Sequence, residues 1–393
     1  MKEKEERHRF YRADALLALT DDTGLIQHGK YSLPDPQHGY SADDNARALL
    51  LAAELYARRR EPCFLEAAFC YARFLRYAQL PDGRFHNFLG YDRRWQDEVG
   101  SEDTLGRCVW GLGAASAVPE LPAGLRAALF AMLRAALPQA GALHFVKAEA
   151  YALLGAATLA LARLGRGRAV HASEQRLAAA DTVSEGALAR LVHHLTEQLL
   201  SSWQETATED WLWFEPQLTY SNALLPWALL LASRLPEEAE RAAREEKDAE
   251  EALAWEALTG AEARSLAAQA RRTAAIALDF LAAHTLRDGI FVPVGCRGWW
   301  PRGAAAGALY DQQPLEAYEM AAACRTAATL FREDRYRRWE EAAFSWYTGR
   351  NLADVPLIDE ETGGCYDGLT PEGPNANLGA ESQIAWGLAC MMP

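Results

Sequence analysis

The chain has 393 residues, of which 50% are hydrophobic and 24% are charged, the usual proportions of a globular protein. Its net charge of −14 argues against nucleic acid and anionic membranes as partners, since both are negatively charged. The sequence has no uncharged apolar run of about 18 residues, so it predicts no membrane span. The charged N-terminus is not followed by the apolar core of a secretory signal, and we therefore expect a cytoplasmic protein.

Amphipathic helical patterns recur along the chain, and Ala and Leu dominate the apolar residues, which favours helix over strand. Ser41 is the predicted N-cap of the first strong pattern. Two patterns, 8–19 and 380–391, have no neighbour in sequence, so we expect them to pack antiparallel on each other. The other patterns fall into five consecutive pairs, namely 44–58 with 62–80, 102–117 with 122–137, 145–164 with 184–202, 221 onward with 261–284, and 314–331 with 334–347.

Six helix pairs closed end to end predict an all-α fold, the (α/α)6 toroid, as a single barrel domain over residues 1–393. Helical hairpins bury their apolar faces only by stacking, and a closed ring achieves this. The first member of each pair is richer in small residues, which suits an inner ring, and the second carries more charge. Residues 236–260 contain nine acids and three bases, which predicts a solvated, acidic helical insertion.

Metal and cofactor motifs are weak. Seven scattered cysteines without a CxxC pair predict free, buried thiols. His193 and His194 are adjacent and point to different sides of a helix, and there is no HExxH motif. Gly111 and Gly113 lie inside a helical pattern with no strand before them, so we interpret them as packing positions. We therefore expect neither a metal nor a cofactor.

Four long links, 81–101, 203–220, 287–313 and 351–379, precede inner helices. They should therefore meet at one end of the barrel, where loops on a rigid scaffold commonly carry function. These links hold most of the aromatic side chains that are predicted to be exposed, namely Phe85, Phe88, Trp95, Trp211, Trp213, Phe214, Trp299, Trp300 and Tyr366.

The starts of the six inner helices share a polar signature, which reads GYSADDNAR, VGSEDTLGR, FVKAEAY, WFEPQLTYSNA, LYDQQPLEAYE and LGAESQIAW. Carboxyl groups can bind sugar hydroxyls and transfer protons, while aromatic rings cover the apolar face of a sugar. The signature therefore predicts a glycan cleft at this end. Helix capping is the alternative for each single acid, because Ser41 with Asp44 fits a capping box and Gln313 with Glu316 resembles one.

Asp44 and Asp103 are the candidate catalytic bases and Glu215 the candidate acid. In the adjacent pair Asp43 and Asp44, each carboxylate disfavours ionisation of the other, so one pKa is expected to be raised. Glu215 lies among aromatic residues, a setting predicted to raise its pKa. The predicted substrate-binding residues are Tyr40, Asp43, Asn45, Arg47, Glu102, Trp213, Tyr220, Asn222, Trp299, Trp300, Gln312, Gln313, Glu316 and Glu381.

The stretch TDDTGLIQHGKYSLPDPQHGYSADDNARALL, residues 20–50, resembles a bacterial helical domain found alone or behind a glycosyltransferase of the GT-B type. SEDTLGRCVWGLG, WFEPQLTYSNALLPWALL and GAESQIAW extend the resemblance over nearly the whole chain. In architecture this domain is similar to six-hairpin glycosidases and to the N-acylglucosamine 2-epimerase group. The resemblance implies glycan chemistry without fixing the reaction, and it assigns no catalytic residue.

Three hypotheses of function follow. The first is an inverting glycoside hydrolase that acts on an oligosaccharide. The second is a non-catalytic glycan-binding or scaffold domain that works beside a glycosyltransferase. The third is a sugar epimerase or isomerase, which needs two facing histidines, and His38 and His144 are the ones that precede inner helices. A lyase is disfavoured because Arg47, Arg93 and Arg94 are among few basic residues available to bind a uronate.

Overall fold

A computed structural model describes residues 11–166, 183–245 and 256–392, and these ranges contain fourteen α-helices. The helices are α1 (Asp14–Ala18), α2 (Ala42–Arg59), α3 (Pro62–Ala78), α4 (Glu102–Ser116), α5 (Ala123–Ala140), α6 (Val146–Arg166), α7 (Glu185–Thr206), α8 (Leu224–Ala232), α9 (Leu235–Glu245), α10 (Glu256–Thr259), α11 (Ala261–Thr285), α12 (Pro314–Phe331), α13 (Asp334–Ser345) and α14 (Ala380–Met391).

Six of these helices form an inner ring in chain order, α2, α4, α6, α8, α12 and α14, in which each contacts the next and α14 closes onto α2. The outer helices α3, α5, α7, α11, α13 and α1 each pack on one inner helix. The predicted (α/α)6 toroid is therefore confirmed. The predicted contact between the first and last helices is confirmed for α1 and α14, and Leu16 of α1 is buried. Residues 8–10 of that prediction lie outside the described residues.

Local sequence sets the helix starts and the close approach of the inner helices. Ser41 Oγ accepts a hydrogen bond from the backbone N–H of Asp44, so the predicted N-cap of α2 is confirmed. A Cβ atom at Gly111 of α4 would lie 2.2 Å from the carbonyl oxygen of Ala46 in α2. Only glycine permits that distance, which confirms Gly111 as a packing position.

Short strands tie together the loops that precede the inner helices. The strands are β1 (Gly29–Lys30), β2 (Leu33–Pro34), β3 (Tyr40–Ser41), β4 (Phe88–Leu89), β5 (Gln217–Leu218), β6 (Leu286–Arg287), β7 (Ile290–Phe291), β8 (Trp300–Pro301), β9 (Leu369–Thr370) and β10 (Gly373–Pro374). All pairs are antiparallel. The β3–β4 pair joins the start of α2 to the loop before α4, and β5–β8 joins the loops before α8 and α12. We call this end of the ring the mouth.

The acidic segment is only partly solvated. Residues 246–255 lie outside the described residues, but α9 and α10 flank them. Leu235 and Ala239 of α9 and Leu258 of α10 are buried, so the described flanks of the predicted insertion pack against other helices. All seven cysteines are free and five are buried, as predicted. None of the described helices is long and apolar enough to cross a membrane.

Candidate functional site

Arg47 joins the first and last inner helices at the mouth. Its Nη2 atom lies 2.7 Å from Asp44 Oδ1, one turn earlier on α2, and its Nη1 atom lies 3.0 Å from Glu381 Oε2 in the first turn of α14. The second oxygen of Asp44 accepts the hydroxyl hydrogen of Ser41 at 2.6 Å. Both oxygens of Asp44 are thus engaged, and the carboxyl groups of two neighbouring helices share one buried guanidinium.

Arg107 repeats this arrangement on α4. Its Nη1 atom lies 2.9 Å from Asp43 Oδ2 on α2, and its Nη2 atom lies 3.8 Å from Asp103 Oδ2, one turn earlier on α4. Tyr220, in the loop before α8, donates its hydroxyl hydrogen to Asp103 Oδ2 at 2.5 Å. The ring of Tyr220 contacts the ring of Trp299, with centroids 6.4 Å apart. These contacts bring residues from four loops and helices to one place.

Lys147 supplies the third cation, from the first turn of α6. Its Nζ atom lies 2.8 Å from Glu215 Oε2, donates to Thr219 Oγ1, and lies 4.5 Å from the centre of the Tyr220 ring. The sequence predicted a partly apolar setting for Glu215, and the structure adds a buried ammonium group that lies against its carboxylate.

Two further carboxyl groups lie deeper in the ring on α12. Glu316 accepts the backbone N–H of Ser221 and, at 3.2 Å, an amide hydrogen of Asn222. Glu319 accepts the hydroxyl hydrogen of Tyr151 at 2.9 Å, while its Oε2 atom is buried without a hydrogen-bond partner in the described part of the chain.

The pKa values of the buried carboxyl groups shift in different directions. Burial and the adjacent Asp43 raise the pKa of Asp44 to about 7, against the effects of Arg47 and Ser41. Burial alone would also raise the pKa of Asp43, but Arg107 and Arg47 lower it below its ordinary value. The predicted split of this adjacent pair is confirmed. Burial raises the pKa of Glu316 to about 7, and burial together with Glu316 raises the pKa of Glu319 to about 8.

A polar cavity of about 490 Å³ lies beside this cluster, between the β1–β2 and β9–β10 hairpins. His28 and His38 contact each other on one wall, with ring centroids 4.5 Å apart, and burial and His38 lower the pKa of His28. On the opposite wall, burial raises the pKa of Asp367 to about 6. Glu381 is close enough to raise the pKa of both His28 and Asp367, so the cavity adjoins the Arg47 pairs.

Several predicted substrate-binding residues are instead buried structural groups, since they face other protein groups. Their hydrogen bonds are Tyr40 Oη to Asp21, Asn45 to Leu25 and Ser41, Asn222 to Thr219 and Glu316, and Gln312 to Trp346 and Leu309. Trp213 is fully buried and stacks on Phe280, so it does not line the mouth as predicted. Gln312 is likewise fully buried and does not join the acids.

Other predicted residues keep part of their surface exposed. Glu102 Oε2 accepts the backbone N–H groups of His144 and Phe145, so Glu102 on α4 caps the start of α6. Trp300 donates its indole N–H to Ala304 within its own loop. Asp43, Asp103, Glu215, Tyr220, Trp299, Gln313 and Glu381 are half-buried at the mouth.

Arg107, Lys147 and Glu319 are site residues that the sequence prediction missed. A signal for the first was present, because Asp43 with Arg47 and Asp103 with Arg107 repeat one spacing of four residues, which places acid and base on one helix face. No such local pattern links Lys147 to Glu215, because Lys147 lies in α6 and Glu215 lies in the loop before α8. Among the described residues, no group of three or more His, Cys, Asp or Glu side chains could hold a metal ion.

No family model and no curated protein matches this sequence. Solved structures do match its fold. The cellobiose 2-epimerase from Spirochaeta thermophila is 16% identical, with a TM-score of 0.63, over 99% of this chain and 95% of the other. The cellobiose 2-epimerase from Bacillus thermoamylovorans is 10% identical, with a TM-score of 0.66, over 99% and 98%. The GH76 α-mannanase from Bacteroides thetaiotaomicron is 8% identical, with a TM-score of 0.57, over 99% and 94%. At these identities the likeness shows the (α/α)6 fold.

Proposed function

We propose that this protein is a carbohydrate-processing enzyme, specifically a glycoside hydrolase, that acts on an oligosaccharide at the mouth. The observation that carries the proposal is the position of two carboxyl groups across the ring. Asp44 begins α2 and Glu215 precedes α8, and these helices are on opposite sides of the six-membered ring. A glycosidic bond between them would have one carboxyl group on each side, as hydrolysis requires.

Asp44 is the proposed general acid, because its pKa of about 7 keeps about half of it protonated in neutral solution. It would give its proton to the glycosidic oxygen as the bond from that oxygen to the anomeric carbon breaks. Glu215, whose Oε2 atom lies 2.8 Å from Lys147 Nζ, would take a proton from a water molecule that attacks the anomeric carbon from the opposite face. The product would have inverted anomeric configuration. These roles exchange the ones assigned from sequence, because burial and Asp43 raise the pKa of Asp44, while the ammonium group of Lys147 lies against Glu215.

Asp103 is the proposed positioning residue. Its carboxylate accepts the Tyr220 hydroxyl hydrogen and neighbours Arg107, so it fixes the aromatic side chain that borders Trp299. The cavity beside Glu381 is large enough for a sugar ring and is lined by hydrogen-bonding side chains. We propose that one sugar of the substrate binds there.

An epimerase is the second candidate. The two cellobiose 2-epimerases share the fold, and His28 lies beside Glu381 at the proposed site. Epimerisation next to a carbonyl group needs proton transfer on both faces of the sugar. His38 lies against His28 on one wall, which places these two imidazoles together on one side. The carboxyl groups therefore support hydrolysis better than the histidines support epimerisation.

The test is incubation of the purified protein with a panel of oligosaccharides, followed by NMR of the products. New reducing ends with inverted anomeric configuration are expected. Products of unchanged length with a different configuration at one carbon would replace the hydrolase by the epimerase. Binding of a glycan without any product would support the remaining alternative, a glycan-binding domain that works beside a glycosyltransferase.

A further inference from the structure

A second cavity, of about 640 Å³, lies at the end of the ring opposite the mouth. Its walls come from the inner helices and from the outer helix α13, and none of the predicted site residues lines it. Asp43 and Glu54 mark the two ends on α2, and their eleven-residue separation corresponds to about 16 Å along the helix axis. We call this space the lower cavity.

An aromatic layer separates the lower cavity from the acids of the mouth. Trp110 and Trp227 contact each other edge to face, with ring centroids 6.1 Å apart, and Trp227 contacts Tyr318 in the same way at 5.7 Å. Trp110 also stacks on Tyr151, the residue that donates to Glu319. A ligand in the lower cavity would therefore rest on aromatic rings without reaching the proposed catalytic groups.

One guanidinium group in the wall has a free donor. Arg325 Nε and Nη2 lie 3.0 Å and 2.9 Å from Glu340 Oε1. Arg325 Nη1 is buried and has no hydrogen-bond partner among the residues that the structure describes, and only 16% of this side chain is exposed. A buried N–H group without an acceptor is costly, so a ligand whose acceptor reaches Nη1 through a small rotation of the Arg325 side chain gains free energy.

Several other polar groups of the wall already have partners. Thr158, Thr326 and Thr329 each donate to a backbone carbonyl group of their own helix. Arg58 pairs with Glu54 and donates to a backbone carbonyl group in α14. A sugar needs many hydrogen bonds, and these side chains do not offer them. An apolar, planar body with a single anionic group matches the wall better.

We propose that the lower cavity is a binding site for a small aromatic anion, such as an aryl carboxylate or aryl sulfonate. The anionic group would accept from Arg325 Nη1, and the ring would pack against Trp227 and Tyr318. The volume is within the range of small-molecule sites. This proposal is independent of the glycan chemistry at the mouth.

The probe is naphthalene-1-sulfonate, with naphthalene-1-methanol as its uncharged analogue, and binding to the whole chain is measured by calorimetry. Wild type is expected to bind the sulfonate with a Kd of about 1 mM or tighter. The double variant Arg325→Gln/Glu340→Gln avoids an unpaired buried acid and should weaken sulfonate binding by about tenfold or more. Its affinity for the methanol analogue should be unchanged. Arg338→Gln, at an exposed arginine of α13 that does not line the lower cavity, is the matched control and should bind like wild type.

A second variant tests the location. Ala322→Phe puts a ring into the lower cavity and should abolish binding of both probes, with folding checked by circular dichroism. If this variant does not fold, Thr326→Phe, from a half-buried position, serves the same purpose. Equal sulfonate affinity in wild type and the double variant, retained binding after the cavity is filled, or no binding at about 10 mM probe would each overturn the proposal.

Discussion

Arg107 Nη1 lies 2.9 Å from Asp43 Oδ2, so the guanidinium group of α4 neutralises an acid at the start of α2. The neighbouring Asp44 is paired with Arg47. Arg107 and Arg47 together lower the pKa of Asp43, while burial and Asp43 raise the pKa of Asp44. Loss of either cation should change both folding stability and the protonation of the pair.

Arg107→Gln should lower the free energy of unfolding by about 3–5 kcal/mol, because it leaves Asp43 ionised and unpaired in a buried position. The double variant Asp43→Asn/Arg107→Gln should recover most of this loss, since it removes the orphaned charge. Urea denaturation at pH 7 measures the four forms of the double-mutant cycle. Additive effects of the two substitutions would show that the contact contributes no coupling.

Glu319 should make the protein less stable as the pH rises. Its pKa is about 8 in the folded chain and has the ordinary lower value in the unfolded chain, so the folded state binds the extra proton between those values. Stability is therefore highest below the unfolded pKa and falls as the pH rises through about 8.

Glu319→Gln removes this titration while keeping an oxygen for the Tyr151 hydroxyl. The stability lost by wild type between pH 5 and pH 9, relative to this variant, should be about 2–4 kcal/mol. Urea denaturation across that pH range provides the measurement. Glu262→Gln, at an exposed position in α11, is the control and should follow wild type. Parallel curves for wild type and Glu319→Gln would contradict the prediction.

Gly111→Ala should destabilise the ring, because the new methyl group would meet the Ala46 carbonyl oxygen at 2.2 Å and push α2 and α4 apart. The expected loss is about 1–3 kcal/mol or more. Gly124→Ala in α5 is the matched control, since a Cβ there meets nothing within 4 Å. It should be neutral or stabilise by up to about 1 kcal/mol. A thermal unfolding series compares the two, and equal effects would show that close helix approach is not what Gly111 provides.

The sequence predicted the ring well because helix periodicity and caps are local. The pattern at 314–331 and the cap at Ser41 correspond to α12 and α2 as observed. Ring closure was predicted from the number of helical patterns. The patterns at 8–19 and 380–391 had no neighbour in sequence, so each was expected to pack on the other. The start of α8 was harder to place. The sequence pattern predicted a start near Ser221, but residues 221–223 form a turn that precedes the first helical residue, Leu224.

The site was predicted less well, because long-range pairing decides the state of each acid. The position of Glu215 among aromatic residues suggested an apolar setting, while its partner Lys147 is far away in sequence. Trp213 was predicted on the cleft wall, but Phe280 of α11 buries it. Residue type and loop position therefore located the mouth, and they did not show which side chains face inward there.

The proposed catalytic roles predict that two amide variants differ in how their turnover depends on pH. Asp44→Asn and Glu215→Gln should each lower turnover by about 10²–10⁴-fold, because each removes a proton-transfer group while keeping its shape. Wild-type turnover should fall as the pH rises above about 7, where Asp44 loses its proton. Asp44→Asn should lose this alkaline decline, and Glu215→Gln should retain it in its residual activity.

External azide distinguishes the acid from the base. In Glu215→Gln, azide needs no base and should restore attack at the anomeric carbon, so it should yield a glycosyl azide of inverted configuration. In Asp44→Asn, azide should not restore the cleavage of substrates with ordinary sugar leaving groups. An activated aryl glycoside should still be cleaved by this variant, because its leaving group needs no proton. Asp103→Asn is the comparison, because Asp103 contacts Tyr220 and Arg107 and is proposed as a positioning residue. This substitution should raise KM more than it lowers kcat. Rescue by azide in Asp44→Asn but not in Glu215→Gln would return the roles to the assignment made from sequence.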